Sequence, residues 1–244
     1  VLLEKLLGVD RRRNLPAFHF ETFRHWWDGR GPKTRSAGRL ALFYTCSVDY
    51  NEPQVGRAAV RVLEKNGFEV VCPEQACCGM PHMDAGDMSA AEAAARRNVA
   101  RFLPYAQSGT PIIALGPTCS YMLKEEYTFL LNDDASRKVA AMTFDVSEFL
   151  MKLKKEGRLS EDFKPDSRPL AYHLPCHLKA QNIGYKSREL LELATGGKVR
   201  MIDRCSAHDG TWAMKKEYYD LSFKAGRKLF EEIPREPGSR LAGD

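Results

Sequence analysis

Two cysteines are adjacent in the sequence, Cys77 and Cys78, within the stretch QACCGMP at residues 75–81. Adjacent cysteines do not bond to each other without strain, because their Cβ vectors diverge. They can instead hold two iron atoms of one cluster or bridge neighbouring irons. Gly79 lets the backbone come close to a bulky inorganic group, and Pro81 stiffens the exit from the loop. The pair therefore indicates thiolate ligands for a metal group.

Two further cysteines extend the pair to a set of four. Cys46 precedes the pair and Cys119 follows it, and all four cysteines lie just after strand-like stretches, at residues 40–44, 68–71 and 111–115. In parallel sheets, ligands gather beyond the carboxyl ends of the strands. We therefore expect the four thiols to converge in the folded chain.

The ligand type narrows the choice of metal. Thiolates suit iron–sulfur clusters or zinc, but structural zinc sites usually use pairs of closely spaced cysteine knuckles, and the only close spacings here are Cys77-Cys78 and Cys72 to Cys77. The set fits a [4Fe–4S] cluster better, with Cys46, Cys77, Cys78 and Cys119 as its ligands. A buried, inert set of thiols is the alternative, since free cysteine is among the most buried residue types. Cys72, at a strand end, is expected to be inert.

The elements around these cysteines predict an α/β fold. Apolar runs typical of strands alternate with amphipathic stretches typical of helices, which is the pattern of parallel βαβ units. Beyond the three strands above, helices are predicted at residues 53–66 and 88–106 and from Cys119 to about residue 130, with a strand end and a helix at 144–155.

The pattern then restarts in the second half of the chain. Leu170 to Cys176 has the spacing of Leu40 to Cys46, and Cys205 follows another strand-like stretch. Such self-similarity indicates an internal repeat. We expect two tandem Rossmann-like units with parallel sheets, related by a pseudo-two-fold axis. The predicted organisation is an extension and linker at residues 1–38, a first cysteine-rich unit at 39–160, and a second unit at 167–244 that is incomplete at its C-terminus.

Composition excludes several classes of protein. With 43% hydrophobic and 28% charged residues, the 244-residue chain has globular values. No apolar run reaches the roughly 18 residues of a membrane span, and no signal peptide is recognised. The net charge of +5 is spread over scattered basic residues, so no nucleic-acid partner is expected. Seven cysteines without a secretory signal indicate a reducing compartment, hence the cytoplasm or the cytoplasmic face of the membrane.

The extension holds an aromatic stretch between Phe18 and Trp27. One interpretation is that it packs on its own domain, since aromatic side chains bury where they can. The other is a docking surface for a partner protein or a membrane. We expect the segment to help seat the domain against its neighbours.

The motif Cys46…Cys77-Cys78-Gly79…Cys119, followed by Cys176…Cys205, resembles the duplicated cysteine-rich CCG domain. That domain occurs in the B subunit of heterodisulfide reductase, in the iron–sulfur subunits of glycolate and lactate oxidation systems, and in the C subunit of anaerobic glycerol-3-phosphate dehydrogenase. The sequences around Cys119 and Cys205 look most like the last of these. The resemblance covers about residues 39–244 and extends into the segment from Leu7-Gly8 to Trp27, called here the lead-in.

The resemblance implies an electron-transfer subunit that passes electrons from a flavin-containing dehydrogenase subunit toward quinone or another membrane-associated acceptor. It assigns no catalytic side chain. It also implies a ferredoxin-like domain before Val1 and a closing cysteine just past Asp244, so that the chain is interpreted as a fragment of a longer protein.

The sequence departs from the family pattern in ways that keep alternatives open. Cys119 lacks the second cysteine of a C-x-x-C ending, and Ser206 stands beside Cys205 where a full motif has a cysteine pair. Cys176 and Cys205 are candidate metal ligands, but a cluster in the second unit is doubtful. A catalytic disulfide or heterodisulfide reductase and a zinc-stapled structural module remain as alternative functions.

Overall fold

The computed structural model describes residues 2–31, 33, 37–166, 168–208, 210–233 and 240–243. Part of the linker expected before residue 39, and the chain end at Asp244, lie outside the described residues. The described strands form two separate parallel sheets, so the predicted α/β class with tandem βαβ units is confirmed. The first sheet holds β1 (Arg39–Phe43), β2 (Glu69–Val71), β3 (Ile112–Ala114) and β4 (Thr143–Asp145), and the second holds β5 (Leu170–His173), β6 (Val199–Ile202) and β7 (Arg240–Ala242).

The helices surround these sheets. A π-helical turn at Met122–Glu126 joins the two helices on either side of it, and a short 3-10 turn covers Trp212–Met214. The α-helices are α1 (Leu2–Leu7), α2 (Phe23–Asp28), α3 (Cys46–Tyr50), α4 (Pro53–Lys65), α5 (Met80–Asp84), α6 (Met88–Gln107), α7 (Pro117–Tyr121), α8 (Tyr127–Leu131), α9 (Asp134–Met142), α10 (Val146–Lys155), α11 (Cys176–Ala180), α12 (Lys186–Thr195) and α13 (Tyr219–Glu232).

The first sheet has the order β2-β1-β3-β4 and is covered on both faces. Side chains of β1 alternate between two hydrophobic layers, as the period of a strand requires. Ala41 and Phe43 pack with Phe102 of α6, whereas Leu40 and Leu42 pack with α4 and α10. Because both faces are buried, β1 is a continuous apolar run in the sequence.

The second sheet has the order β6-β5-β7, which repeats the order β2-β1-β3 of the first. β5 is therefore the counterpart of β1, and it carries Cys176 just beyond its end, as β1 carries Cys46. The strand β7, which the sequence pattern does not predict, is the counterpart of β3. The two sheets thus share a strand order, in agreement with the internal repeat inferred from cysteine spacing.

The lead-in segment is built into the first unit. Phe23 is completely buried in the layer that contains Leu42 and Tyr44, and the indole rings of Trp26 and Trp27 pack against the same layer. Gly56 of α4 faces this ring: a Cβ there would lie 2.5 Å from Phe23 Cδ2. A glycine is needed at that position because α4 approaches α2 too closely for a side chain. The structure therefore favours the interpretation that these aromatic residues pack on their own domain.

The beginning of the same segment contacts the second unit instead. Asp10 N donates to Met214 O at 2.8 Å and Lys216 N donates to Gly8 O at 2.8 Å. The guanidinium of Arg12 stacks 3.6 Å from the ring centroid of Tyr219 on α13 and pairs with Asp10. The lead-in thus connects the two units along the surface.

The two units also contact each other directly. Ser187 Oγ of α12 donates to Ser147 Oγ of α10 at 3.0 Å, in a buried contact. Gln181 Nε2, at the end of α11, donates to Ser120 Oγ of α7 at 2.8 Å. The helix that follows Cys176 therefore packs on the helix that carries Cys119. Among the helices that the structure describes, none combines the length and the hydrophobicity of a membrane-spanning segment.

Candidate metal centre

The sheet order brings three cysteine-bearing loops together. β2, β1 and β3 are neighbours, and all run in the same direction, so their carboxyl ends form one edge of the sheet. Cys77 and Cys78 follow β2, Cys46 begins α3 after β1, and Cys119 lies in α7 after β3. The four thiols therefore meet at this edge, as their positions after the predicted strands indicate.

The thiols are arranged as a row of hydrogen-bonding contacts, called here the thiol row. Cys46 contacts Cys77, Cys77 contacts Cys78, and Cys78 contacts Cys119. Hydrogen bonds from the thiols of Cys46 and Cys78 lower the pKa of Cys77 well below its ordinary range. The bond to Cys77 raises the pKa of Cys46, and the contacts with Cys119 and then with Cys77 raise the pKa of Cys78. Burial adds to both rises.

Backbone N–H groups also affect the thiols. Those of Gly79, Met80 and Ser47 each act to lower the pKa of a nearby thiol, that of Cys77, Cys78 and Cys46 respectively. Such donors stabilise negative charge on sulfur. Gly79 has φ of 96°, in the left-handed region that favours glycine, and its Cβ position faces the backbone of α6, 3.4 Å from Ala91 O. The structure thus explains this glycine by its φ and by helix packing.

Two buried polar side chains hold the other side of the Cys77-Cys78 loop. Asn98 of α6 accepts from Ala76 N at 2.8 Å and donates to Cys77 O at 3.1 Å. Tyr127 of α8 donates to Cys78 O at 2.9 Å and accepts from Asn98 Nδ2 at 2.8 Å. Neither residue is among those predicted from the sequence. The available signal is the burial pattern, because Asn98 lies at helical spacing among apolar positions of α6.

One end of the row is open and the other is closed. Cys78 and Cys119 are buried, whereas Cys46 and Cys77 are exposed. The exposed pair lines a cleft of about 120 Å³ whose other walls include Tyr44, Tyr50 and Gln75. A bound group would therefore be covered by protein on one side and reachable from solvent on the other.

The chemistry of the donor set fits an iron–sulfur cluster. Four soft sulfur ligands lie in one row, and three nearby backbone N–H groups favour the thiolate form of three of them. Within the described residues, no three His, Cys, Asp or Glu side chains are arranged to hold a single metal ion.

Cys72 is separate from the row. It packs beside the layer that contains Phe23 and Tyr44, and Arg24 Nη1 donates to its carbonyl at 3.2 Å. Burial raises its pKa above the ordinary value of a thiol. These features agree with the expectation that Cys72 is inert, because the thiolate is the reactive form.

The candidate ligands of the second unit lie at the equivalent sheet edge. Cys176 begins α11 after β5, and Cys205 follows β6, where its Sγ accepts from Ala207 N at 3.2 Å. β5 and β6 are adjacent, so both cysteines lie at the carboxyl edge of the second sheet. Metal binding by these two residues remains a prediction.

A histidine lies at the junction of the two cysteine sets. His177 Nδ1 is 2.9 Å from Thr118 Oγ1, and its ring stacks on Tyr121 with centroids 5.4 Å apart. These contacts join α11 to α7. His82 lies close enough to the row for its charge to lower the pKa of Cys77. His173 Nε2 is 2.8 Å from Arg204 O, beside Cys205.

Comparison with known proteins agrees with this geometry. Residues 40–124 match the Cysteine-rich domain family, CCG, and this match contains the whole thiol row. The chain is 32% identical to the C subunit of anaerobic glycerol-3-phosphate dehydrogenase from Escherichia coli over 244 residues, which is 98% of this chain and 61% of that relative. The chain thus spans less than two thirds of the length of that relative.

Two other relatives extend the comparison. An iron–sulfur protein of Methanococcus maripaludis is 31% identical over 187 residues, covering 73% of this chain and 34% of that protein. Lactate utilization protein A of Bacillus cereus is 30% identical over 188 residues, covering 72% of this chain and 75% of that protein. With this coverage, and with the CCG motif at the carboxyl edge of its first sheet, the chain belongs to the cysteine-rich CCG domain family.

Proposed function

We propose that the first unit holds one [4Fe–4S]-type cluster through Cys46, Cys77, Cys78 and Cys119, and that the chain is an electron-transfer subunit of an oxidoreductase. The observation that carries the proposal is the thiol row at the ends of three adjacent parallel strands. The cluster would supply one-electron chemistry. The protein would bind it with four sulfurs, direct N–H groups at those sulfurs, and cover the side that holds Cys78 and Cys119.

The direction of electron flow is proposed from the relatives. One of them is named as a subunit of a dehydrogenase, which supports a dehydrogenase partner for this chain. We propose that this partner carries a flavin and that the acceptor is a quinone or a membrane-associated group, with the chain in the cytoplasm or at the membrane surface. The exposed end of the row, at Cys46 and Cys77, is where electrons would enter or leave.

A direct test reduces the anaerobically reconstituted chain with dithionite, removes the excess, and adds a water-soluble quinone. The expected result is rapid return of the oxidised cluster spectrum, with quinone reduced in proportion to the electrons stored. The matched control is Cys72→Ser, which changes a cysteine outside the row and should behave like the wild type. A cluster that stays reduced in the presence of quinone would argue against electron transfer to such an acceptor.

A second function is favoured by one observation, the cleft beside Cys46 and Cys77. An open site next to a cluster is what a catalytic disulfide or heterodisulfide reductase would need. The same reduced sample, mixed with a small aliphatic disulfide, distinguishes the two functions. Electron transfer alone predicts no thiol release. Catalysis predicts about one thiol per reduced chain, because cleavage of one disulfide to two thiols takes two electrons and two protons, and so the electrons of two reduced clusters.

The proposed docking face for the partner lies beside the cleft. Phe18 is 77% exposed, Phe20 is fully exposed, and the Phe18 ring lies 6.5 Å from that of Tyr50, which lines the cleft. His19 N donates to Tyr50 O at 2.8 Å and fixes this stretch to the first unit. Exposed aromatic residues of this kind often anchor protein interfaces.

We predict that the double change Phe18→Ser and Phe20→Ser weakens association with the dehydrogenase partner about tenfold, since interface aromatics commonly contribute at least about 1.4 kcal/mol. Co-purification and titration with the partner measure the effect. Phe129→Ser is the matched control, because Phe129 is 76% exposed but lies on α8. Equal binding by the double variant and the control would contradict a docking role for this face.

A further inference from the structure

The peptide group between Cys78 and Gly79 is held at both ends. Its carbonyl, Cys78 O, accepts from Tyr127 Oη at 2.9 Å. Its N–H, on Gly79, acts on the Cys77 thiol and helps to lower the pKa of that thiol. In a planar trans peptide the C=O and the following N–H point in opposite directions. Fixing the carbonyl toward α8 therefore fixes the N–H toward the thiol row.

The preceding peptide group, between Cys77 and Cys78, also has its carbonyl held by this pair of side chains. Cys77 O accepts from Asn98 Nδ2 at 3.1 Å, and Ala76 N donates to Asn98 Oδ1 at 2.8 Å. Asn98 Nδ2 also donates to Tyr127 Oη at 2.8 Å, so the two side chains form one network. All the carbonyls from Ala76 to Cys78 accept from this network. The loop is therefore fixed from its protein side over three residues.

Burial makes this arrangement rigid. Asn98 is 1% exposed and Tyr127 is completely buried. Leaving a buried polar group without a hydrogen-bond partner costs more free energy than the bond contributes to stability when it is made. Asn98 and Tyr127 therefore strongly favour the geometry in which their hydrogen bonds are formed. The side chains of the network contact the backbone of the candidate ligands and do not take the place of any ligand.

We propose that Tyr127 and Asn98 are positioning residues that keep the Gly79 N–H on the Cys77 sulfur and so raise the reduction potential of the group bound there. The inference rests on the proposed cluster and extends it. Hydrogen bonds to a ligand sulfur reduce the negative charge at the cluster, which favours the more negative, reduced state. Residues that orient a metal ligand without binding the metal themselves commonly have a large effect on the properties of the metal centre.

Tyr127→Phe is the main test, because it removes one hydroxyl and preserves the ring in the core. The expected result is a retained cluster with a reduction equilibrium constant about tenfold lower, a fall of about 59 mV for a one-electron couple. Asn98→Ala should shift the potential in the same direction. Potentials are measured by anaerobic redox titration with the cluster spectrum as the readout.

Thr143→Val is the matched control, since Thr143 Oγ1 is buried and donates to Val139 O at 2.8 Å, in β4 away from the loop. It should lose stability without a change of potential. Amide exchange of Gly79 gives a second readout: Tyr127→Phe should accelerate it and Thr143→Val should not.

Different results would overturn the proposed cluster and the proposed positioning role of Tyr127 and Asn98. A wild-type chain that assembles no cluster overturns the proposed function and this inference with it. A wild-type cluster whose potential and Gly79 exchange are unchanged in Tyr127→Phe and Asn98→Ala overturns this inference alone. If Tyr127→Phe fails to fold, the potential of Asn98→Ala decides the outcome.

Discussion

Replacing Cys78 with serine should remove most of the iron from the reconstituted chain. Cys78 is the buried inner member of the thiol row, and its thiol contacts both Cys77 and Cys119. A serine oxygen is a harder and poorer ligand for an iron–sulfur cluster than a thiolate. We expect iron to fall from about four atoms per chain to less than about one, by the ligand requirement of a four-iron cluster. Iron analysis and visible absorbance measure the loss.

Cys205→Ser provides the contrast for this prediction. The second unit offers Cys176 and Cys205, with Ser206 where a pair would be completed, so its ligand count falls short of a four-iron cluster. The spectrum of the first cluster should therefore stay nearly intact in this variant. Loss of all colour on changing Cys205 alone, with the fold retained, would show that the two units assemble one metal centre together.

The second large effect is expected for Phe23→Ala in the lead-in. Phe23 is completely buried among Tyr44, Trp26 and Trp27, and it fills the space left by Gly56. Truncating a buried phenylalanine costs about 3–5 kcal/mol through lost transfer energy and the cavity left behind. We expect the free energy of unfolding of the first unit to fall by that amount in chemical denaturation.

Phe20→Ala is the matched control, because it truncates an aromatic residue of the same segment that is not part of the core. Phe20 lies three residues earlier and is fully exposed, so its truncation should change stability by less than about 0.5 kcal/mol. Equal losses for the two variants would contradict the packing described here. A small loss for Phe23→Ala would mean that α2 is not part of the core of the first unit.

The class of fold is predictable from the sequence because the strands have a strong local signal. β1, β3 and β5 are continuous apolar runs, and their cysteines follow within a few residues. Parallel pairing then places the carboxyl ends on one edge, which explains why convergence of the thiols could be expected. The order β2-β1-β3, which makes the cysteine-bearing loops neighbours, depends on long-range pairing that local patterns do not encode.

Other features escape prediction for identifiable reasons. α3 and α5 have five residues each, too few for helical periodicity to be recognised. The helix predicted from Cys119 to about residue 130 is interrupted by a π-helical turn at Met122–Glu126, which periodicity does not show. In the sequence, Tyr127 and Asn98 resemble ordinary helix residues, since their partners are backbone carbonyls of a distant loop.

The lead-in is a further part of the chain whose structure could not be predicted fully from its local sequence. Its aromatic density predicts burial or docking without deciding between them. The structure divides the stretch: Phe23 is buried, whereas Phe18 and Phe20 are exposed beside the cleft. Phe23 is buried because α2 packs closely on Gly56 of α4. Gly56 lies outside the lead-in, so the sequence of the lead-in alone does not show which of its aromatic residues are buried.

The most direct test of the proposed cluster is the metal and sulfide content of the wild-type chain after anaerobic reconstitution with iron, zinc and sulfide together. One cluster on the thiol row predicts about four irons and about four acid-labile sulfides per chain, with brown colour and no stoichiometric zinc. About one zinc per chain without colour would instead support the structural zinc module, and about eight irons would contradict the assignment of a single cluster to the first unit.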